Sequence, residues 1–214
     1  MTLENDSRDC QAAAITVTTG PDQANVLATI FISYFRKWRG TTEAPLAREP
    51  LGSLAVSWAG AFLAILAVAA LDQFAGPEMD FRWLIAPLGA SAVLMFGLPA
   101  AKLSQPRNVI GGHTLSALVG VLVRLIIQPQ YGAGRANFIS AALGMSLSLT
   151  VMQATATTHP PAGATGLIAA YADPIPDWHG FKFMLSAAVG SCVMVLLALL
   201  LNNLVPGRTY PTFW

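Results

Sequence analysis

Long uncharged stretches separated by short polar ones organise this chain. Residues 1–23 are polar and predict a mobile tail. Between Ala24 and Arg39, the residues Leu27, Ile30, Phe31, Tyr34, Phe35 and Trp38 fall at helical spacing on one side, and Arg36, Lys37 and Arg39 follow. The run is too short for a bilayer, which takes about 20 apolar residues. It predicts an amphipathic helix that lies in a membrane interface or packs on its own protein. Pro45 and Pro50 then mark a linker, so 24–50 reads as interfacial helix plus linker.

Gly52 to Leu71 carries no charge and is long enough to span. Asp72, Glu78 and Asp80 form a polar loop. Trp83 to Ala101 is apolar but interrupted by Pro87 and Pro99. Asn108 to Ile127 is apolar around His113, with Arg124 near its end. Ala136 to Thr158 is uncharged, Pro160 to Ala172 is short, and Phe183 to Leu201 is long and clean. The pattern predicts an all-α integral membrane protein over residues 51–214. It has four full transmembrane helices plus two shorter helices begun by proline, six helical segments in all.

The interrupted segments carry two copies of one pattern, Pro87-Leu88-Gly89-Ala90-Ser91 and Pro161-Ala162-Gly163-Ala164-Thr165. Each precedes a second shared string, Ser116-Ala117-Leu118-Val119-Gly120 and Ser186-Ala187-Ala188-Val189-Gly190. Matched order predicts two sequence-related units, about 51–128 and 136–205. Internal repeats with broken helices mark transporters whose site lies between the halves. Gly112, Ser116 and Gly120, like Ser186 and Gly190, recur every four residues and predict close helix packing in lipid.

Composition narrows the class. Apolar residues make up 54 % and charged ones 11 %, against about 25 % charged in soluble domains. The net charge of +1 implies no nucleic-acid partner. Cys10 and Cys192 offer neither a disulfide framework nor a metal spacing. The acidic start, with Glu4, Asp6 and Asp9, fits neither a secretory signal nor a transit peptide. Arg36, Lys37, Arg39 and Arg48 before the first span predict a cytoplasmic N-terminus. Four or six crossings return the C-terminus to the same side. Arg208, Tyr210-Pro211 and Trp214 read as an interfacial anchor.

Helix N-termini present unpaired N–H groups and partial positive charge, so they bind anions. Pro87, Gly89, Ala90 and Ser91 in one copy, and Pro160, Pro161, Gly163, Ala164 and Thr165 in the other, are candidate substrate-binding residues on that ground. Ser91 and Thr165 would add hydroxyl donors. Ionisable residues within membrane segments are functional candidates. His159 stands directly before Pro160-Pro161, and His113 opens a long apolar segment from which it could reach the same cavity. Arg107 and Asn108, at the join between the first short helix and the next span, complete the candidates. Arg107 can draw an anion in or pair with headgroups. His179, in a polar loop, reads as solvated. The spacing of the three histidines matches no zinc signature, and neither metal nor cofactor is expected.

These strings resemble the HPP family of integral membrane proteins. His159-Pro160-Pro161-Ala162-Gly163-Ala164-Thr165 is similar to the family signature. Ala86 to Ser91, Gln105-Pro106-Arg107-Asn108, Gly111-Gly112-His113 and Arg208 to Trp214 are similar to it as well, so the likeness spans roughly 35 to 214. The resemblance implies a small membrane domain usually described with four spans, and members linked to nitrite transport in chloroplast envelopes. It therefore implies transport of a small anion, nitrite first, by a non-enzyme embedded in the lipid bilayer. A bacterial plasma membrane is the expected location, and a homo-oligomer is open. A membrane-embedded metalloenzyme using His113 and His159, and a structural membrane protein without cargo, are the alternatives.

Overall fold

A computed structural model describes residues 23–38, 40, 47–79, 82–131, 137–171 and 180–214. The polar tail, Asp80, Arg135 and the loop with Trp178 and His179 lie outside the described residues. Two units divide the chain, Met1–Arg48 and Glu49–Trp214.

In the first unit, α1 spans Gln23–Lys37. Its apolar side chains Ile30, Phe31, Tyr34, Phe35 and Trp38 are exposed. Phe31 and Phe35 meet edge to face, ring centroids 4.9 Å apart, and Tyr34 and Trp38 at 5.7 Å. These are i, i+4 pairs on adjacent turns. Arg36 and Lys37 sit in the last turn, where positive charge suits the helix dipole.

Every regular element described in the second unit is a helix. Its elements are α2 (Leu51–Phe74), α3 (Gly76–Met79), α4 (Pro87–Ala92), α5 (Pro106–Tyr131), α6 (Asn137–Ala154), α7 (Pro160–Tyr171) and α8 (Phe181–Asn202). Three helices are long and apolar enough to cross a membrane: Leu51–Phe74, Pro106–Ile127 within α5, and Phe181–Asn202. The fourth span expected over Ala136–Thr158 is shorter than its uncharged run. Helix α6 stops at Ala154 because Ala156 turns left-handed, with φ at 53°. Ala156 N–H then reaches the Gln153 carbonyl (3.2 Å) and Thr157 N–H the Met152 carbonyl (2.8 Å). That is the Schellman closure of a helix end.

Both short helices begin at the expected prolines, which suit a first turn. Helix α4 runs on into a wide π-helical turn, Val93–Gly97. A 3₁₀ turn, Lys102–Ser104, then leads to α5.

Helix α5 packs on α6, α7 and α8, and α2 packs on α8 and on the π turn. Glycines set the close approaches. A Cβ on Gly120 of α5 would collide with the Gly166 carbonyl and Ala169 of α7. One on Gly190 of α8 would come within 2.9 Å of the Leu88 side chain and the Trp83 carbonyl, at the start of α4. The apolar core gathers Val68, Leu88, Met95, Phe96, Val109 and Met194, among others. Outward, Trp58, Phe62 and Leu66 of α2, Leu143 and Leu147 of α6, and Leu196 and Leu200 of α8 are exposed. An apolar exterior of that extent suits a lipid environment.

The C-terminal residues form a strap across the fold. Asn202 donates to the Met95 carbonyl (3.1 Å) and Arg208 to the Phe96 carbonyl (3.1 Å), both on the π turn. Arg208 also donates to Ser57 Oγ on α2 (3.1 Å). The buried Tyr210 hydroxyl donates to the Ser104 carbonyl (2.9 Å), and Thr212 N–H to Gln105 Oε1 (2.8 Å). Trp214 is exposed. Burial pushes the Tyr210 phenol above its ordinary pKa of 10.

Candidate functional site

The site forms where the starts of α4, α5 and α7 meet. Closure of α6 followed by Pro160-Pro161 leaves residues 157–159 as a short non-helical bridge, and His159 is its last residue. The bridge lies against the first turns of α5. Asn108 Nδ2 donates to the Thr158 carbonyl (2.8 Å), and Arg107 donates to the Thr155 carbonyl (3.0 Å). A Cβ on Gly112 would meet His159 Cβ at 2.9 Å and the Thr157 carbonyl at 3.0 Å, so the backbones touch only because residue 112 has no side chain.

Four side chains join there, and each is 0 % exposed: Ser91, His113, His159 and Thr165. Ser91 Oγ lies 2.8 Å from Nε2 of His113 and 2.8 Å from Nε2 of His159. His113 Nδ1 lies 2.8 Å from Thr165 Oγ1. His159 Nδ1 lies 2.8 Å from the Leu103 carbonyl on the 3₁₀ turn. The two imidazole rings stand 5.1 Å apart, centroid to centroid, at 65°. Every ring nitrogen is engaged, as buried polar groups require.

The final hydroxyls of the two repeated patterns, Ser91 and Thr165, therefore both point at His113. That tertiary meeting brings α4 and α7 together, and it uses the hydroxyls that the sequence left open for a ligand. The amides of α4 are also partly committed, since Leu88 N–H and Gly89 N–H donate to the Ile85 and Ala86 carbonyls (3.0 and 3.1 Å). Pro87, Pro161 and Gly163 are buried near the cluster's helices, whereas Gly89, Ala90, Pro160 and Ala164 are exposed and lie off the junction. Arg107 is exposed and held by the Thr155 carbonyl. Asn108 is buried, and its Oδ1 finds no hydrogen-bond partner among the described residues. Among the described residues no third His, Cys, Asp or Glu joins the pair to make a metal set.

One participant escaped sequence reasoning: Leu103 contributes a backbone carbonyl, which no motif encodes. Gly112, expected to allow close packing, does so here by lacking a side chain against His159 and Thr157. Charge adds a further trait of the region. From Phe81 to Ala172 the chain has no Asp or Glu, but it has Arg82, Lys102, Arg107, Arg124 and Arg135.

A family model described as "HPP, transmembrane region" matches residues 46–211. Two transmembrane proteins of Dictyostelium discoideum are similar as well. One is 38 % identical over 197 residues, covering 90 % of this chain and 62 % of the relative. The other is 38 % identical over 186 residues, covering 86 % of this chain and 64 % of the relative. The chain thus spans under two thirds of the length of these curated relatives. No solved structure matches.

Proposed function

Because the chain belongs to the HPP transmembrane family, we propose that it carries a small anion across a membrane, with nitrite the first cargo to test. One observation carries this reading. A fully buried His113–Ser91–His159 cluster sits where broken helices meet, in a region whose ionisable side chains are basic or neutral. Polar groups are costly within a bilayer and mark pathways. Irregular backbone at that depth persists where protein buries it or a cavity wets it. The absence of carboxylates favours an anion over a cation as cargo. Nitrite itself comes from the family likeness and suits the chemistry, being small, singly charged and able to accept hydrogen bonds.

The carrier reading outranks nucleophilic catalysis. A serine donating to a histidine is an activated-nucleophile arrangement, yet Ser91 is inaccessible and its oxygen is bracketed by two imidazoles. We also read 51–128 and 136–205 as copies of one unit. Gly60 on α2 meets Phe96 just beyond α4, and Gly144 on α6 meets Ala170 of α7, so each leading helix packs on its own short helix. Gly120 and Gly190 pack on the short helix of the other copy. The basic residues before α2 support a cytoplasmic N-terminus, and an even number of crossings of the plasma membrane would return the C-terminus to that side.

Purified protein in liposomes should take up nitrite, and a panel with nitrate, formate and chloride ranks the cargo. His159→Ala should reduce uptake to the level of empty vesicles. Equal flux through wild type and His159→Ala overturns the site.

A further inference from the structure

The hydrogen bonds around the two histidines have a forced direction, and the direction assigns a second cargo. A carbonyl oxygen only accepts, so His159 Nδ1, 2.8 Å from the Leu103 carbonyl, must carry a hydrogen. In a neutral His159 the other nitrogen, Nε2, then accepts. Its neighbour is Ser91 Oγ, which has one hydrogen and must donate it there. Ser91 Oγ is then left to accept from His113 Nε2–H. His113 Nδ1 is bare in that tautomer and accepts from the Thr165 hydroxyl. One sense runs through the whole chain, from Thr165 to His113 to Ser91 to His159 to Leu103.

One added proton reverses every link but the last, His159 to Leu103, without moving a heavy atom. The incoming proton binds Thr165 Oγ1 as that oxygen passes its own hydrogen to His113 Nδ1. His113 passes its Nε2 hydrogen to Ser91, and Ser91 passes its hydrogen to His159 Nε2. Thr165, His113 and Ser91 end neutral, and His159 ends as an imidazolium. Among the described residues no carboxylate lies on α4, α5, α6 or α7, and Asp72 of α2 is committed to Arg82 and to the Trp83 and Leu84 N–H groups. Helices α4, α6 and α7 carry no acidic or basic side chain, and Tyr171 at the end of α7 is their one titratable group. The 3₁₀ turn brings only the exposed Lys102. Helix α5 brings Arg107, held by the Thr155 carbonyl, and the buried Arg124 about three turns beyond His113. A buried cation without a partner is costly, so the charged state calls for an anion.

We propose that Thr165, His113, Ser91 and His159 form a proton relay that loads one proton with each anion, so that the carrier moves the pair without net charge. The proposal rests on the anion-transport reading and adds its coupling ion and stoichiometry.

Liposomes holding a pH dye and clamped with valinomycin test it. Nitrite uptake should carry one proton per anion, follow an imposed pH gradient and ignore the membrane potential. A carrier moving one net charge would shift steady-state accumulation by about 50-fold per 100 mV. Thr165→Val should abolish proton movement while the protein stays folded. Accumulation that tracks the potential with no proton movement overturns the coupling and leaves transport standing. Flux of no anion in the panel defeats the transport reading itself, and a second measurement then decides the relay. In ¹⁵N-histidine-labelled protein, with His179 assigned by its own substitution, acidification should charge His159 and switch His113 from the Nε2–H to the Nδ1–H tautomer in step. The competing arrangement turns the Ser91 hydrogen to the Pro87 carbonyl, 3.3 Å away. His113 would then keep its Nε2–H as His159 charges, and that result overturns the relay.

Discussion

Two helix crossings in this molecule share a backbone plan and differ in chemistry. At one, α5 passes the start of α7. At the other, α8 passes the start of α4. Aligning the repeated strings places Ile85 opposite His159, two residues before the matched proline, and Phe183 opposite His113, three residues before the matched serine. The α5–α7 crossing thus holds two buried histidines, and the α8–α4 crossing holds a buried isoleucine and a phenylalanine that packs on the apolar core. Both Ser91 and Thr165 turn toward the histidine side. The difference separates scaffold from function. Glycine contacts build both crossings, and polar groups equip only one.

The comparison breaks most severely if the shared plan is removed. Gly120→Leu drives a side chain into the Gly166 carbonyl, and backbone cannot yield as a flexible side chain can. No monodisperse protein should elute from size exclusion. Gly190→Leu should be tolerated better, since the Leu88 side chain it meets can move and the Trp83 carbonyl, 2.9 Å from the added Cβ, is less tightly opposed than the Gly166 carbonyl is at Gly120, and a measurable thermal transition should survive.

Converting the polar crossing into a copy of the apolar one comes next. The variant His113→Phe, His159→Ile, Ser91→Ala and Thr165→Val removes both partners of each bond between side chains and leaves only the Leu103 carbonyl unpaired, a cost of about 1–3 kcal/mol. It should fold and move no anion. Single His159→Ile strands the Leu103 carbonyl and should cost about 1–3 kcal/mol in chemical denaturation. If the quadruple variant still transports, the equipped crossing is not the pathway.

The reverse exchange, Ile85→His, buries a polar ring among apolar neighbours. It should also cost about 1–3 kcal/mol while leaving transport at the wild-type rate. A rise in flux would show that the second crossing is a dormant site.

Away from both crossings the effects shrink. Tyr210→Phe removes the bond to the Ser104 carbonyl, a loss of about 1 kcal/mol. Because folding raises the phenol's pKa, the neutral form stabilises the fold below about pH 10, and that contribution is lost as pH rises beyond it. Tyr210→Phe should flatten the alkaline limb of a stability–pH curve. Ala156→Gly relieves a left-handed alanine that costs about 1 kcal/mol, and a small rise in melting temperature should follow.

Much of this plan was legible before any coordinates. Proline placement located the starts of α4 and α7, because a missing amide hydrogen is harmless only at a first turn. His113 and His159 stood out as the ionisable groups of apolar segments. What stayed hidden depends on distant pairings. That Ser91 and Thr165 bind the same imidazole is a fact of helix packing, not of spacing. The Leu103 carbonyl is backbone and leaves no mark in a residue string. The end of α6 rests on one left-handed alanine, a residue that sequence reading treats as helix-forming. The tail looked like a membrane anchor because its tyrosine and arginine suit an interface. Their partners on α2, the π turn and the 3₁₀ turn give them a second task inside the fold.

That strap sets an order of events during biosynthesis. Asn202 ends the last long helix and Arg208, Tyr210 and Thr212 follow it, yet they complete hydrogen bonds with Met95, Phe96, Ser104 and Gln105 about a hundred residues upstream. Until then the peptide that supports Leu103 waits with its neighbours' acceptors open. A nascent chain halted before Asn202 would hold its helices in the bilayer but not the fastening that steadies His159, and cellular surveillance would meet it as an inserted but unlatched protein.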